Sequence, residues 1–301
     1  MTTRRRFLQV ASASGLAACS GPAPEVEETP PPTFSHTLGA QLYTLRYILP
    51  DGPAEVLKKL AAIGYEEAEV LQAGFSDLGP LIADAGLKPK SMHMLPPVVT
   101  GSWGDMEKPA DASVEAVADI AATAGISYLV MPYLLPVDRG TDLDHYKKLA
   151  EKLNAAGAAA KAAGLGFAYH NHAFELEPIE GSTPLDTLIA ETDAATVQLE
   201  LDVFWVSVAG HDPAETLRRH AGRVPLVHLK DKAAGLATQF NEKVTPETFK
   251  EVGNGSIDFA AVLAAAKETG VKHYFVEQDQ TQGDPLASLR QSYDHIRSLA
   301  V

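Results

Sequence analysis

The chain has 301 residues, enough for one large domain or two small ones, and 46% of them are hydrophobic, which supports a sizeable core. Its formal net charge of −14 repels nucleic-acid phosphates and anionic membranes, and favours a small neutral or metal-bridged substrate. A single cysteine, Cys19, excludes a disulfide within the chain, and no internal apolar run approaches the roughly 20 residues of a membrane span.

In chain order, Thr3–Gln9 carries Arg4, Arg5 and Arg6 and resembles a twin-arginine export signal, followed by a short, moderately apolar run over Val10–Ala18. Leu16-Ala17-Ala18-Cys19 is similar to a bacterial lipobox, so residues 1–19 read as a signal that leaves Cys19 lipidated. The expected location is periplasmic, with a lipid anchor at Cys19 as the protein's only membrane contact. Ser20–Ser35 holds five prolines and three glutamates, too little apolar surface to offset its ordering entropy, so residues 20–36 read as a disordered tether.

From residue 37 to 301 the pattern alternates. A strand is expected over Leu38–Leu45 and a helix over Pro53–Ile63, stopped by Gly64. Strand Glu67–Leu71, helix Leu78–Ala85, strand Lys90–Leu95, helix Ser113–Ala124 and strand Tyr128–Leu134 follow. Helix Leu143–Ala163 leads to strand Phe167–His172, helix Pro184–Glu191 to strand Val197–Val203, and helix Pro213–His220 to strand Val224–Leu229. Helix Phe259–Thr269, strand His273–Glu277 and helix Pro285–Leu299 close the chain. Such alternation predicts an α/β fold, a closed (β/α)8 TIM barrel forming a single domain. An open doubly wound sheet is the alternative, and no Gly-x-Gly-x-x-Gly follows the first strand to support it. The loops Pro96–Lys108 and Lys232–Gly253 are long, and in a barrel they lie above the catalytic face, where a lid is expected.

Chemistry collects at the C-terminal ends of barrel strands. There the sequence places Glu69, His93, His170 with His172 and Glu175, Asp202, His228 with Lys230 and Asp231, and Glu277 with Asp279, each where an apolar run stops. These groups are expected on the rim, outside the packed core. Carboxylates with imidazoles, and no usable thiolate, suit a divalent ion, Mn²⁺ foremost with Mg²⁺, Co²⁺ or Zn²⁺ as alternatives. An ion bound by adjacent sugar oxygens polarises the carbonyl and acidifies the neighbouring C–H. His170 or His172 then serves as ligand or general base, with Glu175 orienting it, and Lys230 neutralises oxyanion charge. Glu69, His93, Asn171 and Trp205 are the expected substrate contacts.

Several segments carry a resemblance to a known family. They are Gly39–Arg46, Gly64–Glu69, Tyr169–Glu175, Leu201–Trp205 with Ala209-Gly210, Val227–Asp231, Gly253–Phe259 and Val276–Asp279. In order and spacing they resemble the xylose-isomerase-like TIM-barrel superfamily, in particular proteins known as sugar phosphate isomerase/epimerase. The resemblance implies a small carbohydrate substrate and a divalent ion held by Asp202, His228 and Glu277. The fourth ligand position, a Glu after the fifth strand in family epimerases, is His170 here, as in inosose-dehydratase-like members, with Glu175 further along. It implies proton abstraction next to the carbonyl of a keto-sugar or keto-glycoside, ending in isomerisation, epimerisation or β-elimination. A non-catalytic sugar-binding lipoprotein on the same barrel is a second reading. An abasic-site nuclease is a third, opposed by the acidic charge and the export signal. A phosphorylated substrate is not expected at an exported site, and the sequence does not give the oligomeric state.

Overall fold

The structure, a computed structural model, describes residues 33–301; the expected signal and most of the tether lie outside them. Eight parallel strands close into a barrel: β1 (Leu38–Gln41), β2 (Glu67–Leu71), β3 (Lys88–His93), β4 (Tyr128–Met131), β5 (Gly166–His170), β6 (Gln198–Asp202), β7 (Leu226–Leu229) and β8 (His273–Val276). Each pairs with the next, and β8 pairs back onto β1. A helix follows every strand and covers the outside, as parallel strands buried on both faces require.

Val130, Ala168, Leu226 and Phe275, from β4, β5, β7 and β8, fill the barrel interior as one fully buried apolar cluster, joined by the partly buried Tyr128. Gly39 makes room for it: a Cβ there would run into the Phe275 ring. The larger apolar core lies between the strands and the helices, whose N-termini are closed by side chains such as Ser113, Asp142, Thr183 and Asp258.

Several strands stop earlier than the hydrophobic pattern suggests, each for a local reason. The expected strand Leu38–Leu45 ends at Gln41, whose Oε1 accepts the Tyr43 N–H (3.0 Å) and turns Leu42–Leu45 into a 3-10 helix. The expected Tyr128–Leu134 ends at Met131, where Pro132 has no N–H to give. The expected Val197–Val203 ends at Asp202, whose Oδ1 accepts the N–H groups of Phe204 and Trp205 and starts an unforeseen helix, Val203–Val208. Folded structure also begins before Thr37: Phe34 is buried and its N–H donates to the Leu299 carbonyl (2.9 Å).

Both long loops are structured. Pro96–Lys108 contains the helical turn Pro97–Thr100. Lys232–Gly253 begins and ends in a two-stranded ribbon, Asp231–Lys232 against Phe249–Lys250. Its middle is fastened across the barrel mouth, because Glu242 takes both guanidinium ends of Arg139 (2.8 and 3.1 Å).

Candidate active site

The site follows from strand alternation. Every second residue points into the barrel, so above the apolar cluster a second layer forms from Gln41, Glu69, Ser91, His93, His170, Glu200 and His228, all buried. Within it Glu69 Oε2 accepts from the Gln41 amide (2.8 Å), and Ser91 Oγ donates to Glu69 Oε1 (2.5 Å). Glu200 Oε2 stands 3.0 Å from His93 Nε2, 2.9 Å from His170 Nδ1 and 3.3 Å from His228 Nε2. One step higher, Asp202, Glu277 and Asp279 surround Lys230 Nζ at 3.0, 2.8 and 2.8 Å. His170 and His228 join the two levels: His170 Nε2 lies 3.5 Å from Asp202 Oδ2, and His228 Nδ1 lies 2.9 Å from Glu277 Oε2.

Burial and charge oppose one another here. Burial disfavours the charged form of each group, yet the Glu69 and Glu200 charges raise His93 to about 9, and neighbouring carboxylates also raise His170 and His228. Lys230, although buried, is held charged well above the ordinary lysine range by Asp202, Asp279 and Glu277. Asp202 and Glu277 are lowered against burial, chiefly by Lys230. Asp279 is raised, by burial first and by its Glu277 neighbour, against the pull of Lys230. His172 is held neutral: burial, then the His170 and Lys230 charges, push it well below the ordinary histidine range.

A cavity of about 450 Å³ opens above these layers, lined among others by Tyr43, His93, His170, His172, Lys230 and Asp279. A second, of about 340 Å³, adjoins it at Tyr133, His172 and Asp279 and runs under the Lys232–Gly253 loop past Trp205 and Glu242. A further cleft of about 570 Å³ between helices Phe75–Asp84 and Val114–Thr123 shares no residue with either and has apolar walls.

The structure sorts the sequence candidates. His93, His170, His172, Lys230 and Glu277 line the main cavity and Trp205 the adjoining one. Asp202, His228 and Glu277 are not exposed on the rim but buried, at 0%, 0% and 5% exposure. The expected four-ligand set divides. Ligand atoms of Asp202, His228 and Glu277 lie within 4.8 Å of one another, whereas His170 groups with His93, Glu200 and His228. Glu69 lies beneath the cavity, against His93 and His228, so it contacts them in place of a substrate.

Glu175 does not orient an imidazole: it accepts the Tyr169 hydroxyl (2.6 Å) and the His172 backbone N–H (2.8 Å). Asn171 also faces away from both cavities, its Oδ1 accepting the Asp202 N–H (3.1 Å). Glu200 and Gln41 are site residues without a strand-end signal in the sequence: Gln41 stands midway along the expected strand Leu38–Leu45, and Glu200 lies two residues before Asp202, the spacing at which a strand returns to the same face.

A family model for the xylose isomerase-like TIM barrel matches residues 55–299. The chain belongs to the xylose isomerase-like TIM-barrel family. Among curated relatives, the inosose dehydratase of Geobacillus thermodenitrificans is 29% identical over 164 residues, 51% of this chain and 54% of the relative. The chain thus spans about half the length of the curated relatives it matches. Among solved structures, a sugar phosphate isomerase/epimerase from Parabacteroides distasonis is 26% identical with a TM-score of 0.72, over 87% of this chain and 97% of that one. A xylose isomerase-like TIM-barrel protein from Mycobacterium smegmatis, solved with magnesium, shares the fold at 15% identity and a TM-score of 0.64, covering 87% of this chain and 95% of that one.

Proposed function

We propose that this xylose isomerase-like barrel is an enzyme that removes a proton next to the carbonyl of a keto-sugar or keto-glycoside. The observation that carries the reading is a single cavity lined by both a buried, charged ammonium, Lys230, and a neutral imidazole, His172, whose Nδ1 has no hydrogen-bond partner among the described residues. A base must be unprotonated before it can act, and burial, seconded by the neighbouring His170 and Lys230, favours the neutral form of His172. The oxygen that gains negative charge as the C–H bond breaks needs a fixed positive partner, and Lys230 is already desolvated and held by three carboxylates. The buried imidazole–carboxylate cluster suits a divalent ion, which when bound supplies Lewis-acid polarisation of the carbonyl. The magnesium of the Mycobacterium smegmatis neighbour is in keeping with this.

The outcome after proton abstraction is either return of the proton, giving an isomer or epimer, or loss of a β-hydroxyl. One observation favours elimination: the curated relatives are named inosose dehydratase. The metal-replete protein offered an inosose or a 3-keto-glucoside should give a dehydrated or epimerised product by NMR. His172→Asn should lower that rate by about 10²- to 10⁴-fold, the usual worth of a general base. If no keto-sugar is converted while sugars still bind, the sugar-binding lipoprotein becomes the better reading. Export through the Arg4-Arg5 signal and lipidation at Cys19 are part of the same proposal.

A further inference from the structure

We infer, resting on the functional reading above, that the cavity under the Lys232–Gly253 loop is the subsite for a second sugar ring, so that the substrate is a keto-disaccharide and not a free keto-sugar. The two cavities meet at Tyr133, His172 and Asp279, which line both, so a reacting carbon beside His172 has open space on two sides. One side is the chamber of about 450 Å³ that holds Lys230, and the other is the chamber of about 340 Å³ under the loop. Cavities of about 300–1,000 Å³ hold drug-sized ligands, so the first chamber alone has room for one sugar ring. The second is left for whatever that ring carries.

This second chamber is built for a ring with two kinds of surface. A pyranose has C–H faces and a rim of hydroxyls, and it needs an apolar wall against the face and polar groups at the edge. Trp205, Val244, Pro246 and Phe249 supply the apolar wall, and Glu242 and Gln280 the polar edge. Trp205 is fixed in place: its backbone N–H donates to Asp202 at the start of helix Val203–Val208, and its ring meets Phe204 edge-on with centroids 4.8 Å apart.

Glu242 is equally well held. Arg139 donates to both of its oxygens, and that guanidinium is itself fixed by the Leu134 carbonyl, the Tyr133 hydroxyl and the face of the Phe174 ring (3.6 Å). Each Glu242 oxygen keeps a further lone pair, free to accept from a sugar hydroxyl. Arg139 is therefore a positioning residue.

Trp205 carries the decisive mark. It is only 4% exposed, lines this chamber, and its indole N–H has no partner among the described residues. An unmatched buried donor is unfavourable, and an acceptor oxygen on the ligand would meet it. A purely apolar aglycone would leave both this N–H and the Glu242 oxygens unused, which is why a sugar is assigned and not an aryl group.

The test is calorimetric binding to the metal-replete full chain carrying His172→Asn, so that no ligand is consumed. The probes are the 3-keto forms of cellobiose and maltose, phenyl 3-keto-glucoside and free 3-keto-glucose. One of the two disaccharides should bind at least about 10-fold tighter than 3-keto-glucose, because contacts beyond the reacting ring add affinity. Val244→Trp, which fills the chamber from the loop, should erase that preference, and Glu242→Gln should reduce it about 3-fold or more. Wild-type protein with cellobiose, maltose and glucose repeats the comparison should the His172 variant not fold. Equal affinity for the disaccharides and the single sugar, a preference that survives Val244→Trp, or phenyl 3-keto-glucoside as the tightest ligand overturns the assignment. Wild-type turnover keeps the two readings apart: a disaccharide preference with no keto-sugar turned over sinks the functional reading and leaves the subsite, whereas turnover without the preference sinks only the subsite.

Discussion

Glu175 illustrates how a single buried carboxylate can be misread. Placed three residues after His172, it reads as the group that steers an imidazole, yet it holds a backbone N–H and a tyrosine hydroxyl, and so fixes the loop that presents His172. Burial raises its carboxyl to about 7, against the hydrogen bonds that favour the charged form. The folded state therefore holds its proton more tightly than the unfolded chain, and stability falls as pH rises from about 4.5 to about 7. Glu175→Gln keeps an acceptor for the N–H and should remove this slope, leaving the variant up to about 3 kcal/mol less penalised at pH 8, as read from denaturant midpoints at pH 5 and pH 8. An unchanged slope would refute the assignment. Residue types at strand ends were legible in the sequence; what each side chain faces was not, because that depends on register between strands distant in the chain. Glu200 shows the cost: it sits level with His170 across the β5–β6 pair, a relation no local pattern carries.

At the scale of elements, several helices were legible nearly to the residue: Pro53–Ile63, Pro184–Glu191 and Phe259–Thr269 lie where Pro or Asp at the start and Gly or a polar stop at the end put them, whereas the expected Leu78–Ala85 is Phe75–Asp84, starting three residues earlier with Pro80 inside it. Strand ends were not, since an apolar run continues past the last ladder bond into 3-10 or helical turns, as at Leu42 and Val203. Asp231 governs another such junction. Its Oδ1 accepts the N–H groups of Lys232, Ser256 and Ile257, and its Oδ2 those of Gly253 and Gly255 (2.7–3.1 Å). Gly255 is required beside it, because a Cβ would strike the carboxylate. Asp231→Ala leaves five backbone donors without their acceptor, those of Lys232 and Ile257 in half-buried residues and those of Gly253, Gly255 and Ser256 in exposed ones, and should cost about 1–3 kcal/mol, measured by chemical denaturation. A loss below about 0.5 kcal/mol would mean that the turn holds without it.

For the whole molecule, the barrel was legible because alternating strands and helices with short connections admit few other architectures. The inner polar layer is less typical of a packed barrel core. Burying three imidazoles, two carboxylates and an amide there is unfavourable unless they are paired or ligate an ion, so their presence argues for function at the strand ends directly above. The signal and residues 20–32 of the tether fall outside residues 33–301, and the test of export is chemical: Cys19→Ala should abolish lipid labelling, and lysines at positions 4 and 5 should hold the protein in the cytoplasm. Unlabelled, cytoplasmic wild type would refute export. The central claim is proton abstraction beside a carbonyl, and its most direct measurement is solvent deuterium wash-in. Metal-replete protein in D₂O with an inosose or a 3-keto-glucoside should place deuterium on the carbon next to the ketone in recovered substrate or in an epimerised product, whereas an elimination product should have lost the hydrogen at that carbon; His172→Asn should slow either process by about 10²-fold or more. An epimer formed with no deuterium at that carbon, an elimination product that keeps the original hydrogen there, or a reaction equally fast in the variant would contradict it.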